Sequence, residues 1–380
     1  MNTAYELDTP QIIHLPGKSP LMKIKTLLLF ILISILGAIL SACTGAGVAV
    51  TSWPGLTVDG DTGYLAHAQH IYAINLTNGS EKWRFPAEPG RNQAFYAAPI
   101  LTPDGQLIAG GYDFKLYSID STTGQLKWTF EGATDKYIAG PLVTEGAIFA
   151  PSADGVLYSL DFNGNLLWSF ETGGPLWAQP TSDEACECIY LASMDHSVYA
   201  IEAATGVLKW KSAELGGAFV GTPAYGEQDS LYVGNFSNQM FGLNAENGKT
   251  RWQIPTQNWV WSGPAMQDNT LYFGDLNGDF YAVDATNGQQ LWKLSPGSPI
   301  LSTPLVAGDQ IYYTVEAGTI YAVDTSGAPL WNNTIGGKLY APPVANGDVI
   351  LVTPLEGTAM LIALNQQGAQ QWSFTPEVKK

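Results

Sequence analysis

The stretch Tyr281-Ala282-Val283-Asp284-Ala285-Thr286-Asn287-Gly288-Gln289-Gln290-Leu291-Trp292 decides the fold, because the chain repeats its pattern eight times. The other copies end at Trp83, Trp128, Trp168, Trp210, Trp252, Trp331 and Trp372. A glycine stands four residues before each Trp: Gly79, Gly124, Gly164, Gly206, Gly248, Gly288, Gly327 and Gly368. Seven or eight residues before each comes Asn75, Asp120, Asp161, Glu202, Asn244, Asp284, Asp324 or Asn365. From Trp83 to Trp372 there are seven steps over 289 residues, a mean period of about 41. Such self-similarity marks an array of one supersecondary unit, and it overrides the two or three domains that 380 residues would otherwise suggest.

Each repeat reads as four short strands, here called A to D. Between Gly140 and Phe170 they are Pro141-Leu142-Val143, Ala147-Ile148-Phe149-Ala150, Val156-Leu157-Tyr158-Ser159-Leu160 and Leu166-Leu167-Trp168-Ser169-Phe170. Glu145-Gly146, Asp154-Gly155 and Asn163-Gly164 separate them, and such pairs are hairpin turns because glycine takes positive φ at no steric cost. After residue 43 no segment shows a 3.6-residue apolar period. Four-stranded units of this length, repeated radially, predict an all-β, eight-bladed β-propeller over residues 53–375, followed by a short tail at 376–380. The repeated Trp should stack one blade on the next. Full burial of an indole removes about 150–250 Å² from water, worth at most about 4–6 kcal/mol. The glycine four residues earlier serves the C–D turn and leaves a flat peptide on which an indole can lie.

With these residues in hand, the pattern Ala-x-Asp-x-x-Thr/Asn-Gly-x-x-x-Trp resembles the tryptophan-docking motif of the PQQ-like (pyrroloquinoline-quinone-type) propeller family. The resemblance covers about residues 53–374, with Ser or Gly replacing Ala in some blades. Eight blades directly behind the basic start Met22-Lys23-Ile24-Lys25, an apolar run and the lipobox-like Leu40-Ser41-Ala42-Cys43 are similar to the BamB-like lipoproteins of outer-membrane β-barrel assembly.

The front end reads as a lipoprotein signal. Met22-Lys23-Ile24-Lys25 is a basic start, Leu27 to Leu40 an apolar run, and Leu40-Ser41-Ala42-Cys43 resembles the bacterial lipobox, in which the Cys is diacylated and becomes the new N-terminus. Residues 1–43 are therefore read as extension and lipoprotein signal, with Met22 an alternative start, and 44–52 as a short tether. An uncleaved anchor helix is the competing reading. After cleavage 14 basic and 32 acidic residues leave a net charge of −18. That repels phosphate backbones, which argues against nucleic acid, and it gives no attraction to anionic lipid. Cys186 and Cys188 remain, as a local disulfide or as two thiols; zinc sites want four ligands.

Four Trp lie outside the docking set: Trp53, Trp177, Trp259 and Trp261. All fall in segments running from strand D of one blade to strand A of the next, which cross one face and enter the central funnel. Counting back three from the Pro that opens strand A gives Tyr96, Ile138, Trp177, Val220, Trp261, Leu301 and Tyr340; counting back four gives Phe95, Tyr137, Leu176, Phe219, Val260, Ile300 and Leu339. Either both rows are inter-blade core, or one lines the funnel mouth and grips a peptide, glycan or partner loop. Candidate face residues are Tyr96, Tyr137, Trp177, Trp259, Trp261 and Tyr340, with Trp259 the best hot spot. Lys136 and Lys338, each five residues before the strand-A Pro, are the candidates for an anionic contact. The carboxylates of the B–C loops read as solvated, as do His67 and His70.

Quinoprotein dehydrogenases that share the docking motif need calcium ligands, a catalytic Asp and, in many, adjacent cysteines. Here Glu187 separates the cysteines, no Cys-x-x-Cys-His haem site exists, and no catalytic triad or phosphate loop stands out. The expectation is a monomeric, non-catalytic scaffold without cofactor or metal, lipid-anchored in the cell envelope, docking a protein partner. In a two-membrane host the resemblance implies the outer membrane and a component of barrel assembly. The alternatives are a surface lipoprotein holding a small molecule, peptide or glycan in the funnel, and, at lower weight, a PQQ-dependent oxidoreductase.

Overall fold

The computed structural model describes residues 53–377, apart from Arg91 and Glu227. Cys43, its signal and the tether lie outside the described residues. The described elements are all strands, grouped in eight four-stranded antiparallel sheets, each in the order A-B-C-D. The expected eight-bladed propeller is thus the fold. Blade one is typical: β1 (Gly55–Asp59), β2 (Thr62–His67), β3 (His70–Asn75) and β4 (Glu81–Phe85) come from one continuous segment. The last blade, 344–374, lies beside the first, where its A strand (Val344–Asn346) contacts β1 and closes the ring.

A single blade has two apolar faces and can bury neither alone. The buried side chains accordingly fall into eight clusters, each shared between neighbouring blades. Tyr190 and Val198 of blade four, for example, pack with Leu231 and Phe241 of blade five.

The repeated motif has a physical account at every position. Its Ala pairs directly across strands C and D with the Trp, as Ala282 does with Trp292, and the partner of every docking Trp is Ala, Ser or Gly. A larger residue would collide: a Cβ on Gly242 would lie 2.4 Å from Trp252. In every blade the C–D ladder shifts register just after this pair, a bulge that increases local twist. The Asp or Asn folds the turn; Asp284 Oδ1 accepts from Thr286 N at 2.8 Å, and Asp120 Oδ1 from Thr123 N at 2.8 Å. The glycine then turns at positive φ, and it receives the indole of the preceding blade: Trp83 covers Gly124, Trp252 covers Gly288, and Trp372 covers Gly79. The indole N–H reaches the same neighbour, as from Trp210 Nε1 to Ala245 O at 2.8 Å and from Trp331 Nε1 to Gln366 O at 2.7 Å. All eight docking Trp are half-buried, so each contributes less than the full-burial bound given above.

Cys186 and Cys188 are joined by a disulfide. It lies in the A–B turn of blade four beside a cavity of about 320 Å³ lined by Asp183, Lys209, Trp210 and Glu246. This cleft is formed by A–B and C–D turns, which lie on the opposite face from the D–A segments. No candidate face residue lines it.

Candidate functional site

Strands alternate in direction, so D–A segments and B–C loops share one face, the mouth of the funnel. The two rows of apolar residues have different fates there. Phe95, Tyr137, Leu176, Phe219, Val260, Ile300 and Leu339 are buried to within 1 % of full burial and fill the gaps between blades. Tyr137 therefore cannot present itself to a partner. It was expected on the face because it is a tyrosine among hydrocarbons, but its ring stands on Gly110, where a Cβ would lie 2.4 Å away, and its hydroxyl has no hydrogen-bond partner. The other row points into the funnel: Ile138, Trp177, Val220, Trp261, Leu301 and Tyr340 line one cavity of about 170 Å³, and Tyr96 lines a second of about 220 Å³.

Trp53 lines both cavities, as do Trp177, Val220 and Tyr340. Its ring stacks on Tyr340 at 5.2 Å between centroids and meets Trp261, three blades round the ring, also at 5.2 Å. Trp261 in turn stacks on Phe236 at 5.1 Å, and Phe236 on Trp259 at 4.6 Å. A continuous aromatic path thus runs from the funnel out to Trp259, which is 43 % exposed. Phe236 sits in the blade-five B–C loop and was not singled out from sequence; a lone Phe in a turn between β-strands carries little signal. Trp53 was counted only as an extra Trp, because it stands directly before its Pro and fits neither row.

Lys136 and Lys338 are engaged within the protein. Lys338 Nζ pairs with Glu316 at 3.2 Å, and Tyr340 donates to the same carboxylate at 3.1 Å. Lys136 Nζ lies 4.5 Å over the Tyr112 ring and donates to its hydroxyl at 3.1 Å, while Tyr112 stacks on Tyr96 at 4.9 Å. Asp113, Asp154, Asp195 and Glu316 of the B–C loops are similarly occupied, which corrects the expectation of solvated charges for these four, whereas Glu356 is exposed as expected. Tyr117 donates to Asp113 at 2.5 Å, Tyr158 to Asp154 at 2.9 Å, and Tyr199 to Asp195. Burial and then the neighbouring carboxylate hold Tyr117 and Tyr158 well above the ordinary tyrosine range and raise Tyr199 as well. Burial opposes ionisation of Asp195, but its bonds to Tyr199 and Lys211 outweigh this and keep it below the usual carboxylate value. His67 and His70 are not solvated either. They are the ends of paired strands β2 and β3, His67 is 9 % exposed, and His70 Nδ1 lies 2.8 Å from Pro86 O. Burial lowers the pKa of both.

A second feature lies on the rim. Exposed large hydrophobics are densest on the outer strands of three consecutive blades, at Leu126, Leu166, Leu167, Val207 and Leu208, each between 43 and 59 % exposed. Blades six and seven add Leu291 and Leu330, the residues directly before their docking Trp. Leu126, Leu166 and Leu208 hold the same position, two residues before the docking Trp. The remaining blades place Glu81, Thr250, Gln290, Pro329 and Gln370 there. The contrast was legible in the aligned repeats, but the docking Trp two residues on masked it.

The family model described as outer membrane protein assembly factor BamB matches residues 67–190, 132–259, 194–303, 256–326 and 276–379, most of the chain. The chain belongs to this family. A BamB from Moranella endobia (strain PCIT) is 28 % identical over 112 residues, which is 29 % of this chain and 28 % of that relative. The crystal structure of BamB from Moraxella catarrhalis superposes with a TM-score of 0.70 at 18 % identity, covering 81 % of this chain and 94 % of that one. The computationally designed Ika8 protein matches as closely in shape, with a TM-score of 0.70 at 15 % identity over 86 % of this chain and 98 % of its own. A designed protein with the same shape shows that the propeller alone does not confer a role on this BamB-family chain; the surface must.

Proposed function

We propose that this BamB-family protein is a non-catalytic scaffold, lipid-anchored through Cys43 in the cell envelope, that docks a protein partner of outer-membrane protein assembly on its rim. The observation that carries the reading is the apolar sector of blades two to four. Large exposed aliphatic side chains cost solubility, and among the described blades only these three neighbours place one two residues before the docking Trp. Family membership supports the assembly role. The scaffold needs no cofactor on this reading. A funnel ligand is disfavoured by size, since small-molecule sites generally occupy about 300–1,000 Å³ and the two cavities beside Trp53 are about 170 and 220 Å³.

The test is in-cell crosslinking from photoreactive residues placed at Leu166 and Leu208, with the same probe at Thr250 and Gln370 as controls. Capture of one envelope protein from the first pair and not the second supports docking on the rim. Leu166→Ser with Leu208→Ser should then abolish that capture while the melting temperature stays within about 2 °C, because surface changes typically cost under about 0.5 kcal/mol. Equal capture from all four sites would sink the proposal.

A further inference from the structure

We infer that the mouth face of the propeller lies against the lipid bilayer, seated by Phe114 and Trp259, so that the rim is left free for protein. The inference rests on the lipid anchor at Cys43 proposed above. Trp53, the first described residue, is held inside the mouth between Tyr340 and Trp261, so the tether leaves the propeller there. Ten residue steps separate Cys43 from Trp53, and a fully extended chain covers at most about 3.6 Å per step, or about 36 Å.

That reach favours one orientation. To put the opposite face on the membrane, the tether would have to cross a four-stranded blade, three gaps of about 4.8 Å, and then descend the length of a five-residue strand, about 17 Å. Together this consumes about 31 Å before any turn or side chain is counted. With the mouth toward the membrane, none of it is spent.

The chemistry of the mouth suits a lipid interface. Phe114, in the blade-two B–C loop, and Trp259, between blades five and six, are each 43 % exposed, and they stand on well-separated parts of the ring with Trp53 between them. The other exposed large hydrophobics lie in or beside outer strands. Aromatic rings favour the headgroup boundary, where one end is apolar and the other wet. Asp113, Asp154, Asp195 and Glu316 are bonded to tyrosines or lysines of the protein, while Glu88, Glu214 and Glu356 stay exposed. The face is thus acidic where it is charged and suits zwitterionic rather than anionic lipid. The occupant is the bilayer interface rather than a specific headgroup.

The experiment uses the mature, acylated protein in phosphatidylcholine vesicles whose acyl chains carry a diazirine. Intact mass is measured first, then crosslinked peptides are mapped after illumination. Crosslinks at 112–116 and 257–261 should exceed those at the C–D turns at least fivefold. Phe114→Ser with Trp259→Ser should lower them at least fivefold, with vesicle flotation and melting temperature retained. Acylated protein crosslinked chiefly at outer strands or C–D turns overturns this inference and leaves the anchor standing. Protein with no acyl chain at Cys43 overturns the anchor reading and this one together.

Discussion

Replacing Gly124 by Ala should loosen the ring through one contact, and a control separates the contact from backbone strain. Gly124 turns at φ +71°, and an added Cβ would lie 2.7 Å from Cδ2 and Cε3 of Trp83. Gly308 also turns at positive φ, +61°, with nothing within 4 Å of a Cβ. Both substitutions carry the left-handed penalty of about 1–2 kcal/mol for a residue with a side chain. Only Gly124→Ala must also push an indole off its seat, and overpacking of this kind costs about 1–3 kcal/mol. The expected difference between the two variants is therefore about 1–3 kcal/mol, read from guanidinium unfolding monitored by tryptophan emission, with slopes checked for equality. Equal midpoints for Gly124→Ala and Gly308→Ala would refute the idea that indole docking on the neighbouring blade holds the ring.

Two more perturbations follow from the interior. Tyr137→Phe removes a buried hydroxyl that has no partner, so it should leave stability unchanged or raise it, whereas Tyr137→Ala should cost about 3–5 kcal/mol; a loss above about 1 kcal/mol for the Phe variant would show that the hydroxyl is bonded in solution. Burial lowers the pKa of His67 and His70 in the folded protein, so the unfolded chain binds more protons below about pH 6.5. Stability should be complete above that value and decline as pH falls through it, well before the depressed carboxylates Asp195 and Asp279 lose theirs below their ordinary range. Denaturation midpoints at pH 7.5 and 5.5 measure the slope, and His67→Gln should flatten it.

Much of the ring was legible because each blade repeats the same local chemistry: a small residue opposite the Trp, a turn-forming carboxylate or amide, and a left-handed glycine. Repetition turns weak local signals into a strong one. The mouth was less legible for a geometric reason. Adjacent residues in a D–A segment point opposite ways, and both rows are apolar, so sequence could not say that Phe95 and Ile300 go between blades while Tyr96 and Leu301 face the funnel. Trp259 was recognised as exposed, but its stacking on Phe236 and the link to Trp261 and Trp53 join segments far apart in sequence. The rim sector was visible only as a departure from the repeat at Leu126, Leu166 and Leu208. Function here resides in what the blades do not share.

The docking of Trp372 on Gly79 has a topological consequence. In open repeat arrays, terminal repeats need polar caps and unravel first, because each end lacks a neighbour. Here the last blade meets the first through the same contact that joins the others, and among the described residues every blade is built from one continuous segment. The covalent breakpoint between blades eight and one is therefore one of eight equivalent places at which the circle could be cut. Circular permutants opened in any other D–A segment, with the native ends joined by a flexible linker, should reassemble the same ring, and their differences in stability would map the circle interface by interface.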